Sequence, residues 1–131
     1  MKVDKASRYT RTHEWVRTEG AEVFSGITDY AQEQLSDIVY VELPAVGEHF
    51  DKGEVYGVVE SVKAASDCYM PVSGTIVGVN DTLGDSPQLV NEDPYHAGWF
   101  IRFTPDHSED LKALMDAEAY EKYAAASEGA H

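Results

Sequence analysis

The sequence predicts a mainly β chain with peripheral helices, of α+β class, built as a compact barrel or sandwich. Three observations carry this reading. Turn residues interrupt apolar segments at short intervals, at Val46-Gly47, Lys52-Gly53, Ser73-Gly74, Asn80-Asp81 and Leu83-Gly84-Asp85. β-Branched and aromatic residues fill runs such as Ile38 to Leu43. After Thr104-Pro105 the apolar spacing changes to that of a helix.

Taken in order, residues 12–17 and 21–27 read as two strands joined by a turn at Glu19-Gly20. Thr28 and Asp29 offer capping oxygens to Tyr30–Leu35, a helix of about two turns that Ser36-Asp37 closes. Residues 38–43 form a strand buried on at least one face, ended by Pro44. Short strands and turns then follow as far as the strand 99–103. Ser108 opens a helical stretch with Glu109 and Asp110 in its first turn, and a second runs from Asp116 to Ala126. The tail, residues 127–131, lacks core-forming side chains and is expected to fray. Shifting residues 46–60 by 33 positions sets Val46-Gly47 on Val79-Asn80 and Phe50 on Leu83, a weak match that suggests two similar half-motifs.

The 131 residues suit a single domain, 1–131, able to remove roughly two-thirds of the unfolded chain's surface from water. A net charge of -14 repels phosphate backbones and anionic membrane surfaces, so neither nucleic acid nor membrane is an expected partner. The lone Cys68 has no internal disulfide partner and reads as a strand residue in a reducing compartment. His13, His49, His96, His107 and His131 are not spaced as metal ligands, so no metal is expected. The first residues lack the apolar segment of a secretory signal. The expected location is a bacterial cytoplasm, or the mitochondrial matrix for a processed organellar form.

One lysine stands apart. Of ten Lys and Arg residues, five lie in the first seventeen positions, whereas Lys63 lies in the run Glu60-Ser61-Val62-Lys63-Ala64-Ala65-Ser66-Asp67, where a strand pattern reverses. Taking Lys63-Ala64 as the central pair puts Ser61 opposite Ser66 and Glu60 opposite Asp67. Facing carboxylates are mildly destabilising, which hints at recognition by a partner. The plain alternative is a solvated turn. The turn lacks the Asn-Gly or Asp-Gly of a two-residue hairpin, which leaves its type open.

The stretch Glu60-Ser61-Val62-Lys63-Ala64, continued by Ser66-Asp67 and Pro71-Val72-Ser73-Gly74, resembles the lipoyl-lysine motif of glycine cleavage H proteins. Gly47, sixteen residues before Lys63, and Gly74, eleven after it, stand where lipoyl and biotinyl domains carry glycines at turns. His13-Glu14-Trp15-Val16, Gly26 to Gln32, Val41 to Pro44, Asn80, Leu89-Val90-Asn91, Pro94-Tyr95 and Gly98-Trp99 continue the likeness across residues 8–124. The tip Val62-Lys63-Ala64 differs from the Met-Lys-Met of biotin carriers and the Asp-Lys-Ala of most 2-oxo acid dehydrogenase lipoyl domains.

The resemblance implies a lipoyl-type β-sandwich, or barrel-sandwich hybrid, with an added N-terminal hairpin, short helix and C-terminal helices. It also implies lipoic acid in amide linkage on Lys63, with Glu60, Ser61, Val62, Ala64 and Asp67 forming the recognised surround. Such a chain is a covalent carrier and not an enzyme. It takes the aminomethyl group of glycine from a pyridoxal-phosphate decarboxylase (P protein) to a tetrahydrofolate-dependent aminomethyltransferase (T protein). Dihydrolipoamide dehydrogenase (L protein) reoxidises it, and a lipoyl-attaching enzyme is the fourth partner. The competing function is a module that donates lipoyl groups to other complexes, or one that stays unmodified. The cargo's ammonium would favour a carboxylate in a partly closed cleft; Glu14 is the candidate and Asp67 the second, against a plain exposed Glu beside a packed Trp15.

Overall fold

Nine strands form two antiparallel sheets in the computed structural model, which describes residues 1–129. The larger sheet runs β1 (Arg8–Tyr9), β2 (Glu14–Glu19), β3 (Glu22–Ile27), β9 (Ile101–Pro105), β8 (Gly74–Val79), β5 (His49–Phe50). The smaller runs β4 (Ile38–Glu42), β6 (Val55–Ser61), β7 (Ala65–Tyr69). Alternation along β8 buries Gly74, Ile76 and Gly78 and leaves Thr75, Val77 and Val79 partly accessible, so only one face of the strand joins the core. Val23, Ile76 and Phe103 from the larger sheet meet Val41, Val59 and Cys68 from the smaller in one apolar cluster. Each such side chain contributes roughly 1.5–3 kcal/mol on full burial.

A second cluster is aromatic: Tyr9, Trp15, Tyr30, Tyr95 and Tyr120. It joins the N-terminal hairpin to α1 (Asp29–Leu35) and α4 (Ala117–Gly129). Tyr120 stacks on Tyr9 with ring centroids 4.5 Å apart, and Tyr9 meets Tyr95 edge to face at 6.4 Å. The Tyr120 hydroxyl lies 2.7 Å from His13 Nδ1 and 2.7 Å from Thr28 Oγ1. Reciprocal backbone bonds tie Tyr9 to Met115: Tyr9 N–H donates to the Met115 carbonyl at 2.8 Å, and Met115 N–H to the Tyr9 carbonyl at 3.0 Å.

The opening hairpin, the capped helix and the strand after it are present as expected, except that residues 12 and 13, expected in the first strand, lie in the turn before β2, His13 with a φ of 69°. Thr28 Oγ1 accepts from Ala31 N–H at 3.2 Å, and Ser36 ends α1 with a φ of 69°. Other elements differ. β1 is a two-residue strand too short to show a period. The supposed turns near residues 82–92 wind into one-turn helices, α2 (Thr82–Asp85) and α3 (Leu89–Glu92). They break the 33-residue correspondence, because Phe50 on β5 then matches Leu83 on a helix.

The strand expected at 99–103 begins at Ile101, and Phe100 N–H instead donates to the Ser25 carbonyl at 2.8 Å as the chain enters the sheet between β3 and β8. The stretch from Ser108 is a 3-10 turn, Ser108–Ala113. Asp106, just before that turn, pairs with His49 Nε2 at 2.7 Å. α4 continues through Ser127 to Gly129, so that part of the expected frayed tail is helical; residues 130 and 131 lie outside the described residues. No helix among the described residues is long and apolar enough to cross a membrane.

Candidate functional site at the Lys63 hairpin

The β6–β7 hairpin places Lys63 at an exposed tip, in a register different from the one expected. Glu60 pairs with Ala65, Val59 with Ser66, Val58 with Asp67 and Gly57 with Cys68. The central pair of the turn is therefore Val62-Lys63, and Glu60 does not face Asp67. Cross-strand partners share a face, so the two carboxylates are diagonal neighbours on the outer face, where repulsion is weaker than between direct partners.

Ser61 explains why the turn manages without glycine. Its Oγ accepts from Lys63 N–H at 3.1 Å and from Ala64 N–H at 3.0 Å, and its N–H donates to the Ala64 carbonyl at 2.8 Å. A serine side chain substitutes here for the turn geometry that Asn-Gly would provide. The tip is also fastened to the main body: Val62 N–H donates to the Asp37 carbonyl at 3.0 Å, and Lys63 Nζ to the Gln34 carbonyl at 3.2 Å. Gln34 lies in the last turn of α1, whose free carbonyls carry the negative end of the helix dipole. Asn91 holds that end in place, donating from Nδ2 to Gln32 Oε1 and to the Ser36 carbonyl while its Oδ1 accepts from Ile38 N–H.

Both spaced glycines have physical reasons. Gly47 has a φ of +96° and donates its N–H to the Ile76 carbonyl at 2.8 Å, a conformation that L side chains rarely adopt. At Gly74 a Cβ would come within 2.6 Å of the Thr104 carbonyl and 2.8 Å of the Phe103 ring. Each shapes the sandwich that presents the hairpin; neither touches Lys63.

Glu14 is not the exposed side chain of the plain alternative. It is 1% exposed at the start of β2, where Oε1 accepts from Thr10 Oγ1 at 2.7 Å and from the Thr12 hydroxyl, and Oε2 accepts from Tyr69 N–H at 3.2 Å. Burial pushes its carboxyl up to about 7, against the opposing effect of these hydrogen bonds. The contact with Tyr69 ties Glu14 to the far end of β7, six residues from Lys63. At ~3.3 Å per residue that is roughly 20 Å along the hairpin. Asp67 stays exposed on the outer face.

Sequence reasoning missed Thr10 and Thr12, although threonines two and four residues before Glu14 were a visible signal. It also missed the Gln34 carbonyl, for which no sequence signal exists because the contact is to the main chain. Cys68 is buried and burial pushes its thiol up, as suits a packed strand residue. Among the described residues no cluster of His, Cys, Asp or Glu could hold a metal ion.

An amine on an exposed residue at a braced tip, followed by the small Ala64 and Ala65, suits acylation by an enzyme. Comparison with known proteins gives this geometry its family. A family model described as Glycine cleavage H-protein matches residues 7–127. The chain is 53% identical over 123 residues to the glycine cleavage system H protein of Anaeromyxobacter sp. (strain K), covering 94% of this chain and 96% of that protein. It is 55% identical over 122 residues to the glycine cleavage system H protein of a Thermus thermophilus strain, covering 93% and 95%. The crystal structure of a glycine cleavage system H protein from Mycobacterium marinum superposes with a TM-score of 0.83 at 39% identity, covering 95% of this chain and 98% of that one. Fold, braced lysine and this agreement along nearly the whole chain show that it belongs to the glycine cleavage H-protein family.

Proposed function

We propose that Lys63 bears lipoic acid in amide linkage and that through it the chain performs the family's carrier role in glycine cleavage. The observation that carries this reading is the Ser61-braced tip, which holds an exposed lysine amine where an acylating enzyme can reach it. When attached, the dithiolane supplies a disulfide that accepts the aminomethyl group of glycine on one sulfur together with two electrons. The protein's own residues position and shelter. Acylation removes the charge of Lys63, and with it the ion–dipole part of its hold on the Gln34 carbonyl at the end of α1.

The partners are the glycine decarboxylase, the aminomethyltransferase, dihydrolipoamide dehydrogenase and a lipoyl-attaching enzyme. The cargo's ammonium would find its carboxylate in Glu14, whose Oε2 is tied to Tyr69 N–H at the far end of β7. A unit pair at ~4 Å attracts by about 4 kcal/mol at an effective dielectric of ~20, and most of that is lost in full solvent. Burial holds the Glu14 carboxyl protonated up to about pH 7, so the charge pair would form as the cargo's ammonium draws the proton off, in a site less screened by solvent than that of exposed Asp67.

Protein produced in a lipoate-competent host is expected to show the lipoyl mass increment by intact mass spectrometry, and Lys63→Arg to lack it. Reconstituted glycine decarboxylation with purified partners should require the modified form. An unmodified wild-type chain that still supported the reaction would overturn the reading.

A further inference from the structure

Beside the attachment lysine lies an outward patch that the carrier chemistry does not use. β4 is an edge strand, and its pairing with β6 shifts between Ile38 and Tyr40. The bulge turns two consecutive side chains to solvent, leaving Val39 52% and Tyr40 51% exposed. Tyr40 lies directly opposite Glu60, and Glu60 opposite Ala65, so these three make one outward row across the smaller sheet. Val62 is 69% exposed and bonded through its N–H to the Asp37 carbonyl, just before the bulge. Asp37, Glu42, Glu60 and Asp67 surround the patch, all exposed. None of these four has an ion-pair partner among the described residues.

Resting on the reading of Lys63 as the attachment point, we propose that Val39, Tyr40 and Val62 form the docking face for the enzyme that acylates Lys63. The occupant is a protein surface with an apolar recess for Tyr40 and Val62, bordered by arginine or lysine side chains that answer the four carboxylates. Reach selects this partner over the enzymes of the cleavage cycle. In the acylation step the neutral Nζ attacks the carbonyl of an activated lipoyl donor, a mixed carboxylic–phosphoric anhydride. The amide C–N bond forms, the anhydride C–O bond breaks, the phosphate ester leaves and Nζ loses a proton to solvent.

That active site must close on Nζ itself, which lies 3.2 Å from the Gln34 carbonyl of the main body. An enzyme placed there covers the end of α1, the bulge and Val62. Enzymes that act on the sulfurs meet their target at the far end of the arm and have no need to cover this patch. An exposed aromatic centre with a charged rim is also the usual composition of a protein–protein contact.

The test uses purified lipoate ligase with lipoate and ATP, following lipoylation of the full-length chain by intact mass. The double variant Val39→Thr, Tyr40→Ser is expected to lower kcat/KM for acylation at least tenfold, chiefly through KM, while Tyr40→Phe stays within about threefold of wild type. Wild-type acylation should slow as sodium chloride rises. Driven to full lipoylation with excess ligase, the double variant should support glycine decarboxylation within about twofold of wild type.

Acylation of the double variant at the wild-type rate would overturn the proposal. So would an equal loss in both assays, which would assign the face to the cleavage partners, or a dimer in sedimentation that Tyr40→Ser dissociates, which would assign it to a second copy. If the double variant fails to fold, Val62→Thr at the tip reports on the same face. Failure of wild type itself to accept lipoate would instead remove the reading on which the proposal rests.

Discussion

Glu14 is the side chain whose environment says most about this protein. The folded chain keeps its carboxyl protonated at pH values where an unfolded glutamate is ionised, because its folded value rises from 4.5 to about 7. The stabilising contribution is complete below about pH 4.5 and is lost as pH rises through about 7. The size is on the order of 3 kcal/mol. His13 acts in the opposite sense: burial lowers its value from 6.5, so folding is favoured by its neutral form and loses stability as pH falls below that. Urea unfolding of Glu14→Gln at several pH values should show a weaker decline between about pH 5 and 7.5 than wild type does. A decline of the same size would place the titration elsewhere.

At the scale of elements, the hairpin register depends on one hydroxyl. Ser61→Ala removes an oxygen that accepts from two tip amides, leaving them to solvent. The expected loss of stability is about 1 kcal/mol, with faster hydrogen exchange at Lys63 and Ala64 and slower acylation of Lys63. Exchange unchanged from wild type would show that the turn stands without the brace. This contact also explains the limits of sequence reading. Strand alternation correctly paired β6 with β7, but the turn type rested on a side-chain-to-backbone bond that no period reveals. Thr28 was legible because capping is a local rule. α2 and α3 were not, because Asn80-Asp81 and Leu83-Gly84-Asp85 gave turn signals that a single helical turn also satisfies. Lys63 was found by resemblance and spacing, whereas the Gln34 carbonyl and the bulge at Val39 depend on long-range packing.

For the whole molecule, the aromatic cluster acts as a clasp between the N-terminal hairpin and α4. Tyr120→Phe keeps the ring on Tyr9 but removes the hydroxyl between His13 and Thr28, at an expected cost of about 1–3 kcal/mol. Tyr120→Ala removes the ring as well and should cost roughly 3–5 kcal/mol. Equal losses in urea titrations would mean that the hydroxyl, not stacking, holds the helix.

The mutual bonds between Tyr9 and Met115 also set an order of events during synthesis. Residues from opposite ends of the chain must meet before the clasp exists, and closing so long a loop is slow compared with forming a local hairpin such as β1–β2. The β6–β7 hairpin, by contrast, joins neighbours in sequence and has all of its own residues once Tyr69 leaves the ribosome. The residues around Lys63 are therefore all available early, while the aromatic cluster waits for Tyr120 to emerge. A nascent chain still held at the ribosome lacks its clasp, whereas the hydrogen-bond partners of Glu14, which are Thr10, Thr12 and Tyr69, have all emerged with the hairpin.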